Sequence, residues 1–285
     1  MTIVLRRARP EDAEECGQIC FDSFYSVATQ HNFQPDFDSV ESATRILDVM
    51  LNHNGFYSVV AERNGEIIGS NFLDERADIV GLGPITVLRE AQNEGIGRRL
   101  LADALERSDG REAAGVRLVQ AAYHGRSMSL YVKYGFQVRE PLAVIKGPPP
   151  GVEIPGYTVR RAQTEDVEAC DHLCMSVYGF TRSWELQDAI STGGALVAEV
   201  RARVMAYTTS IGFGGHTVGQ TPTDIMALVA ATDRIHGPGF LLPLRSKDLL
   251  TWCLEQGLRI EQPLSLMSRG TYRKPQGVFL PSIAW

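Results

Sequence analysis

The sequence predicts an α/β protein with mixed α+β sheets, built from two tandem copies of one domain. Three observations support this class: the length of 285 residues, an internal repeat, and strand patterns that alternate with helix patterns. A chain of this length is typical of two domains of ordinary size. With 44% apolar and 22% charged residues, the composition is that of a globular protein that needs no disulfides to fold.

The internal repeat lies near the start of each half. Residues 6–20 begin RRARPEDAEEC, and residues 160–174 begin RRAQTEDVEAC; eight of these fifteen positions are identical. Chance does not easily produce such a match, so we expect two copies of one fold. The predicted division is a first domain at 1–146, a Pro/Gly linker at 147–156 and a second domain at 157–285.

Hydrophobic periodicity and turn signals give the elements of each copy in order. In the first copy we expect strands at 3–7, 57–63, 66–72, 79–88, 116–122 and 137–144, with helices from Pro10, at 39–51, from Ile96 and at 126–133. The second copy begins in the same order, with strands at 158–162, 195–200 and 203–210 and helices from Thr164 and at 183–191.

A glycine-rich turn follows the apolar strand at 79–88. It reads Gln92-Asn93-Glu94-Gly95-Ile96-Gly97, and a helical pattern of apolar residues starts at Ile96. Backbone N–H groups at a helix N-terminus suit a pyrophosphate, and glycines permit its close approach. A Rossmann motif needs a third glycine where Leu100 stands, and a P-loop needs Gly-Lys-Ser/Thr. An ordinary β–α turn with packing glycines is the alternative.

The pattern Gln/Arg-x-x-Gly-x-Gly/Ala between a strand and a helix resembles the acetyl-CoA signature of the GNAT-type N-acetyltransferase superfamily. The resemblance implies the order β-α-α-β-β-β-α-β-α-β in both copies and acetyl-CoA as co-substrate. It also implies that a backbone N–H near Val87 or Leu88 stabilises the reaction's oxyanion. The implied cofactor-binding residues are Val87, Leu88, Gln92, Asn93, Glu94, Gly95, Ile96, Gly97, Arg98 and His124.

A second motif supports this resemblance. The stretch Leu130-Tyr131-Val132-Lys133-Tyr134-Gly135-Phe136 looks like the family's Leu-Tyr-x-x-x-Gly-Phe. The resemblance implies that Tyr131 is the general acid that protonates the CoA sulfur; a core aromatic is the alternative. Tyr134 is expected to pack. The family often has Asn seven residues before the tyrosine, where this chain has His124.

The general base has several candidates. Asp74, Glu75 and Asp78 surround a hairpin where the family often places a carboxylate, and Glu75 is the residue we select. Solvated turn charges are the alternative, and His31 and His124 are further candidates. The segment at 25–38 falls where the family builds its acceptor pocket, and its aromatic residues indicate an amphipathic acceptor.

The second copy is expected to lack the cofactor site. We align the glycine motif with residues 231–239, where Pro238 removes a donor N–H. In the register that aligns Gly257 with Gly135, Cys253 takes the place of Tyr131. The second copy is therefore interpreted as a degenerate GNAT-like domain. A nucleophilic Cys253 is the alternative, although the sequence shows no base partner for it.

The predicted function is transfer of an acetyl group from acetyl-CoA to an amine of a small molecule or peptide by direct attack. A non-catalytic acyl-CoA-binding regulatory module, and transfer to oxygen or of longer acyl chains, are the alternatives. The net charge of −6 argues against nucleic acid as a partner. With no apolar run of transmembrane length and no signal peptide, we expect a cytoplasmic protein without membrane contact.

The five cysteines are expected to be reduced core thiols. Two pairs lie four residues apart on predicted helices, so a metal pair is conceivable, but no histidine or further cysteine is placed to complete a site. We therefore expect no metal cofactor. A homodimer is left open.

Overall fold

The protein contains two β-sheets and eight α-helices in residues 2–284, the part of the chain that the computed structural model describes. The first copy consists of β1 (Ile3–Arg7), α1 (Ala13–Gln30), α2 (Val40–Asn52), β2 (Phe56–Arg63), β3 (Glu66–Asp74), β4 (Ile79–Val87), α3 (Ile96–Gly110), β5 (Gly115–Ala121), α4 (Gly125–Lys133) and β6 (Gln137–Lys146). The second consists of β7 (Thr158–Arg161), α5 (Val167–Tyr178), α6 (Ser183–Ser191), β8 (Leu196–Val200), β9 (Arg203–Thr208), β10 (Thr217–Gly219), α7 (Pro222–Ala231), β11 (Phe240–Pro243), α8 (Lys247–Glu255), β12 (Arg259–Gly270) and β13 (Val278–Leu280).

The predicted order of elements is confirmed in both copies, and β13 is an additional strand at the end of the second. The class predicted from the sequence, a mixed α/β fold in two similar copies, is also confirmed. Local patterns located the elements well because each has an apolar face of the correct period. For example, α2 begins after Ser39, whose side chain accepts a hydrogen bond from the N–H of Ser42.

The repeated residues build the same ion-paired corner in each copy. Arg6 on β1 donates to Asp12 at 2.7 and 2.9 Å and to Glu62 on β2 at 2.7 Å. In the second copy the corresponding arginine, aspartate and glutamate are Arg160, Asp166 and Glu199, with distances of 2.6 to 2.8 Å. Each arginine lowers the pKa of its aspartate. Both copies therefore contain the same ion-pair network, which joins the start of the first helix to two strands.

The two copies share one sheet. Its eight strands run in the order β1-β2-β3-β4-β5-β12-β6-β11, so β12 of the second copy lies between β5 and β6 of the first. Strand β12 is antiparallel to both neighbours, and β11 pairs with the outer side of β6. Leu264 pairs with Leu142, its counterpart in the sequence alignment, which places a local pseudo-twofold axis at this point.

The second sheet has the order β13-β10-β9-β8-β7 and belongs to the second copy alone. Strand β13 comes from the end of the chain and pairs antiparallel with β10, with Val218 opposite Phe279. The apolar C-terminal stretch is buried, as expected from its composition: Phe279 and Leu280 are almost fully covered. Within residues 2–284, no helix is both long enough and apolar enough to span a membrane.

The shared sheet predicts that residues 1–146 do not form a stable domain alone. Such a fragment lacks β11 and β12, so β5 and β6 lose the strand that joins them and expose unpaired apolar edges. We expect the fragment to aggregate when expressed, whereas the full chain stays dispersed. Size-exclusion chromatography and an activity assay test this, and a soluble, fully active fragment would contradict it.

Candidate functional site

Strands β4 and β5 diverge at the edge of the sheet where both end. They pair in parallel only at Ile79–Gly81 with Gly115–Arg117. Farther along, β4 contains an irregularity: Asn71 of β3 pairs with Ile85, but Leu73 pairs with Leu82, so β4 has one extra residue in this interval. The result is a gap between the carboxyl ends of two parallel strands, a common place for ligand sites in α/β proteins.

The backbone of Val87 borders this gap. The N–H of Leu88 donates to the Ile68 carbonyl at 2.9 Å and is therefore occupied within the sheet. Successive N–H groups of a strand point in opposite directions, so the N–H of Val87 points away from β3 and toward the gap. Of the two predicted oxyanion donors, the geometry favours Val87.

The N-terminus of α3 is left without a side-chain cap. Its first flanking residue, Gly95, has φ +85°, and Asn93 has φ +71°. No side chain accepts a hydrogen bond at this cap, and the first turn contains no acidic residue. The first N–H groups of a helix lack partners within the helix, and the dipole is positive here. The turn can therefore receive an anionic group.

Gly97 connects the turn with two other predicted site segments. A Cβ atom at Gly97 would lie 3.8 Å from Cγ2 of Val87 and 4.0 Å from Cδ2 of Leu130, which are ordinary contact distances. Packing therefore does not require glycine here, although glycine within a helix costs about 1 kcal/mol relative to alanine. Close approach of a ligand to the backbone would account for it. The same distances show that β4, the turn and α4 lie next to one another here.

The side chains of the turn mainly hold it in place. Gln92 donates to the Val87 carbonyl at 3.2 Å and accepts from Arg126 at 3.0 Å, so it ties the turn to β4 and α4. Glu94 is paired with Arg63 at 2.7 Å. Arg98 lies over Gly95, with its guanidinium exposed to solvent. Because the Gln92 and Glu94 side chains are occupied, the groups of the turn left to contact a pyrophosphate are its backbone N–H groups and the Arg98 side chain.

Tyr131 lies in the core beside the gap. Its side chain is 6% exposed and packs with Leu82, Val116 and Phe136 among others. Burial raises the pKa of Tyr131 above its usual value, so the phenol keeps its proton at neutral pH. A protonated phenol of this kind can donate to a ligand atom.

His124 begins α4 at the mouth of the gap. Its Nδ1 atom lies 2.5 Å from the Ser127 hydroxyl oxygen. Burial, together with the nearby His31 and Arg126, lowers the pKa of His124, so its imidazole is neutral at pH 7. A neutral ring that already contacts Ser127 suits a positioning role at the start of α4.

Glu75 is not brought to this site. Its carboxylate accepts from Arg107 at 2.8 and 3.0 Å and lies 3.4 Å from Arg111. Both arginines belong to the end of α3, and Arg107 lies roughly 18 Å from Gly95 at about 1.5 Å per residue. The geometry therefore gives Glu75 a structural pairing role and offers no support for its selection as the base. Asp74 is likewise paired, with Arg76 at 2.6 Å.

A carboxylate that the sequence analysis did not select lies in the segment between α1 and α2. Asp36 accepts a hydrogen bond from the Gln262 amide at 2.7 Å, and the Gln262 oxygen accepts from Tyr123 at 2.8 Å. The ring of Tyr123 stacks on Phe33 with centroids 4.3 Å apart. Burial raises the pKa of Asp36 to about 6. Only the aromatic residues of this segment gave a signal in the sequence, because Gln262 is distant along the chain.

Two features that are open in the first copy, the N-terminus of α3 and the gap between β4 and β5, are occupied by protein groups at the corresponding places of the second copy. Its α7 occupies the position of α3, so our alignment of the glycine motif with residues 231–239 is wrong: those residues connect α7 to β11. The N-terminus of α7 is capped by Thr221 and Asp224, and Tyr157 donates to Asp224 at 2.6 Å. Strand β13 pairs with β10 and packs beside β11, where the first copy has its gap.

The environment of the cysteines does not favour a reactive thiolate. All five are buried and free, and burial raises the pKa of Cys253 to about 12, which keeps it a thiol. This state does not fit a nucleophile. Within residues 2–284, no group of three or more His, Cys, Asp or Glu side chains is arranged to hold a metal ion.

Solved structures share this two-copy architecture. A proposed acetyltransferase from Pyrococcus horikoshii aligns over 97% of this chain and 94% of its own, with 17% identity and a TM-score of 0.75. A GCN5-related N-acetyltransferase from Sphaerobacter thermophilus aligns over 95% of this chain and 96% of its own, with 14% identity and a TM-score of 0.64. At these identities the likeness shows the fold, which is that of two GNAT-like domains in tandem.

The family match falls on the first copy. Residues 54–138, which include β4, the glycine turn and α4, match the model of the acetyltransferase (GNAT) domain. Over these residues the first copy is similar to GNAT acetyltransferase domains, and the second copy has a similar fold. Comparison with curated protein sequences gave no match.

The contrast between α3 and α7 predicts one coenzyme A site per chain. Gly97→Val should weaken coenzyme A binding by roughly 100-fold, about 2.7 kcal/mol, because its side chain would fill the space over the turn. Gly110→Val is the matched control, since it lies in the same helix with open space around it. Isothermal titration calorimetry measures both the number of coenzyme A sites per chain and the affinity of each variant for coenzyme A. Two equivalent sites per chain, or unchanged binding by Gly97→Val, would refute the assignment.

Proposed function

We propose that this protein transfers an acetyl group from acetyl-CoA to an amine of a small molecule or peptide, by direct attack of the amine on the thioester. The observation that carries the proposal is the uncapped N-terminus of α3, next to a strand gap bordered by Val87 and Tyr131. The family match at residues 54–138 supports acetyl transfer as the type of reaction.

Binding of the co-substrate depends on the turn. The backbone N–H groups near Gly95 and Gly97, with the positive end of the α3 dipole, would hold the pyrophosphate. Arg98 is close enough to Gly95 to add a positive charge. Gln92 would act indirectly, since its side chain is occupied by Val87 and Arg126.

The chemical step requires an oxyanion donor and an acid. The Val87 N–H points into the gap and would stabilise the negative oxygen that forms when the C–N bond is made. Tyr131 would then give its proton to the sulfur as the C–S bond breaks. Because burial raises the pKa of Tyr131, the phenol is protonated at neutral pH and has a proton to donate.

An amine screen tests this function directly. The full chain is incubated with acetyl-CoA and a panel of primary amines, and release of free thiol is measured; longer acyl-CoAs and alcohols follow. We expect thiol release that depends on an amine and is greatest with acetyl-CoA. Tight coenzyme A binding with no thiol release would instead favour a non-catalytic acyl-CoA-binding module.

Replacement of Tyr131 separates binding from chemistry. Tyr131→Phe removes one hydroxyl and keeps the ring, so the rate should fall by roughly 10²–10⁴-fold while coenzyme A affinity stays unchanged. Tyr134→Phe is the matched control, because Tyr134 lies on the same helix end and lines a surface depression with Leu105 and Arg269. Equal turnover by Tyr131→Phe and the wild type would remove Tyr131 from the catalytic role.

A further inference from the structure

Asp36 is a carboxylate without a cationic partner. Its hydrogen bond comes from the neutral Gln262 amide, and within residues 2–284 it forms no ion pair with a lysine, arginine or histidine. The titratable groups that face it are Cys20 of α1 and Tyr123 of the loop after β5, and neither is cationic. By contrast, Asp12 and Glu75 are each paired with arginine.

This arrangement costs stability. Burial raises the pKa of Asp36 to about 6, whereas an unfolded aspartate has a pKa of about 3.9. The folded protein therefore holds this proton more tightly than the unfolded chain does. Its free energy of unfolding falls as the pH rises from about 4 to above 6 and Asp36 ionises. A half-buried carboxylate whose charge weakens the fold and has no cationic partner is typical of a functional site.

Two rings, those of Phe33 and His31, contact Tyr123, which is linked to Asp36 through Gln262. Tyr123 stacks on Phe33 at 4.3 Å and contacts the His31 ring at 5.0 Å. Phe33 and Tyr123 are stacked on each other and His31 lies beside them, so the three rings form an aromatic cluster next to the carboxylate's partner, and the Tyr123 hydroxyl is fixed by Gln262. A ligand that fits both features has a cationic group and a planar or apolar body.

Asp36 lies close to the gap between β4 and β5, because the loops and helices around Asp36 also contact the residues that border the gap. Tyr123 lies in the loop between β5 and α4, and three residues later Arg126 contacts Gln92 of the glycine turn. On the other side, Ser23 of α1 donates to the Val87 carbonyl at 3.3 Å. The loops that carry Asp36 and Tyr123 thus lie at the edge of the gap where β4 and β5 end.

We propose that Asp36 binds the ammonium group of the acceptor and removes its proton, while Phe33 and Tyr123 contact an aromatic or flat apolar body attached to that amine. The inference rests on the proposed function and names the substrate class for it. Gln262 holds the carboxylate from β12, so the second copy completes the acceptor site of the first.

Proton transfer in this step is balanced. Asp36 gains the proton that the ammonium loses, and the free lone pair then attacks the thioester carbon. The C–N bond forms, the C–S bond breaks and the sulfur takes a proton from Tyr131. The nitrogen's second proton restores Tyr131, and Asp36 releases its own to solvent, so one proton is released per turnover.

A binding experiment tests the acceptor site without turnover. The probe is 2-phenylethylammonium, titrated into the full chain with and without coenzyme A and followed by calorimetry; 2-phenylethanol is the uncharged comparison. Asp36→Asn should weaken binding of the ammonium at least about tenfold and leave the affinity for coenzyme A unchanged. Asp38→Asn is the matched control, an exposed carboxylate in the same segment, and should bind as the wild type does.

Two further readouts separate function from structure. With 2-phenylethylamine as acceptor, kcat/KM should rise with pH through about 6 as Asp36 ionises, and Asp36→Asn should lose this limb of the profile. The same variant should melt at a higher temperature than the wild type at pH 7 but not at pH 4, because it removes the buried charge.

The outcomes distinguish the two proposals. If the wild type binds coenzyme A but Asp36→Asn binds the ammonium as well as the wild type does, the inference is overturned and the proposed function stands. Failure of the wild type to bind the ammonium at millimolar concentration also overturns it. If the chain binds no acetyl-CoA, the proposed function fails, whereas ammonium binding that depends on Asp36 still supports the cation site.

Discussion

Strand β12 of the second copy lies between β5 and β6 of the first and so joins the two copies in one sheet. This strand has hydrogen-bonded neighbours on both sides, so it fixes β5 and β6 of the first copy through residues of the second. Because β5 is held by β12, it can separate from β4 at its carboxyl end without leaving the sheet. The same strand carries Gln262 to Asp36. One long-range pairing therefore supports both the strand gap and the segment between α1 and α2 that carries Asp36.

The two copies differ in whether a side chain caps the helix that follows the third hairpin strand. Helices α3 and α7 occupy the same place in the element order, yet their N-termini differ. At α3 the flanking residue is Gly95, and the N–H groups are open; at α7 the Thr221 and Asp224 side chains occupy them. A carboxylate at a helix N-terminus satisfies the dipole and repels another anion. In the second copy, β13 also occupies the place beside β10 that corresponds to the gap beside β4 in the first copy.

Carboxylates in this protein differ chiefly in whether an arginine reaches them. The repeated Asp12 and Asp166 join helices to strands through such pairs, and Glu75 is paired with the end of α3. Each of these is stabilised in its charged form. Asp36 is the contrast: its hydrogen bond comes from a neutral amide, and no arginine within residues 2–284 pairs with it, so its charge is poorly compensated. Geometry of the partner, rather than position in the sequence, decides which carboxylate is available for chemistry.

Features that depend on the local order of residues could be predicted from the sequence. The period of apolar residues located the strands and helices, the repeat at residues 6–20 and 160–174 revealed two copies, and Gly95 and Gly97 marked the turn. These features were accessible because propensity, capping and backbone freedom act over a few residues. Even there, the motif's counterpart in the second copy was misplaced, since the α7 cap carries no glycine signature.

Contacts between residues far apart in the sequence could not be predicted from local patterns and are seen only in the folded chain. Nothing local specifies that β12 enters the first sheet, that β13 closes the second copy, or that Arg107 reaches Glu75. The pairing of Asp36 with Gln262 spans 226 positions of the chain. Such contacts arise when sheets and helices bury their apolar faces together, and the residues that become neighbours then depend on the packing of the whole chain.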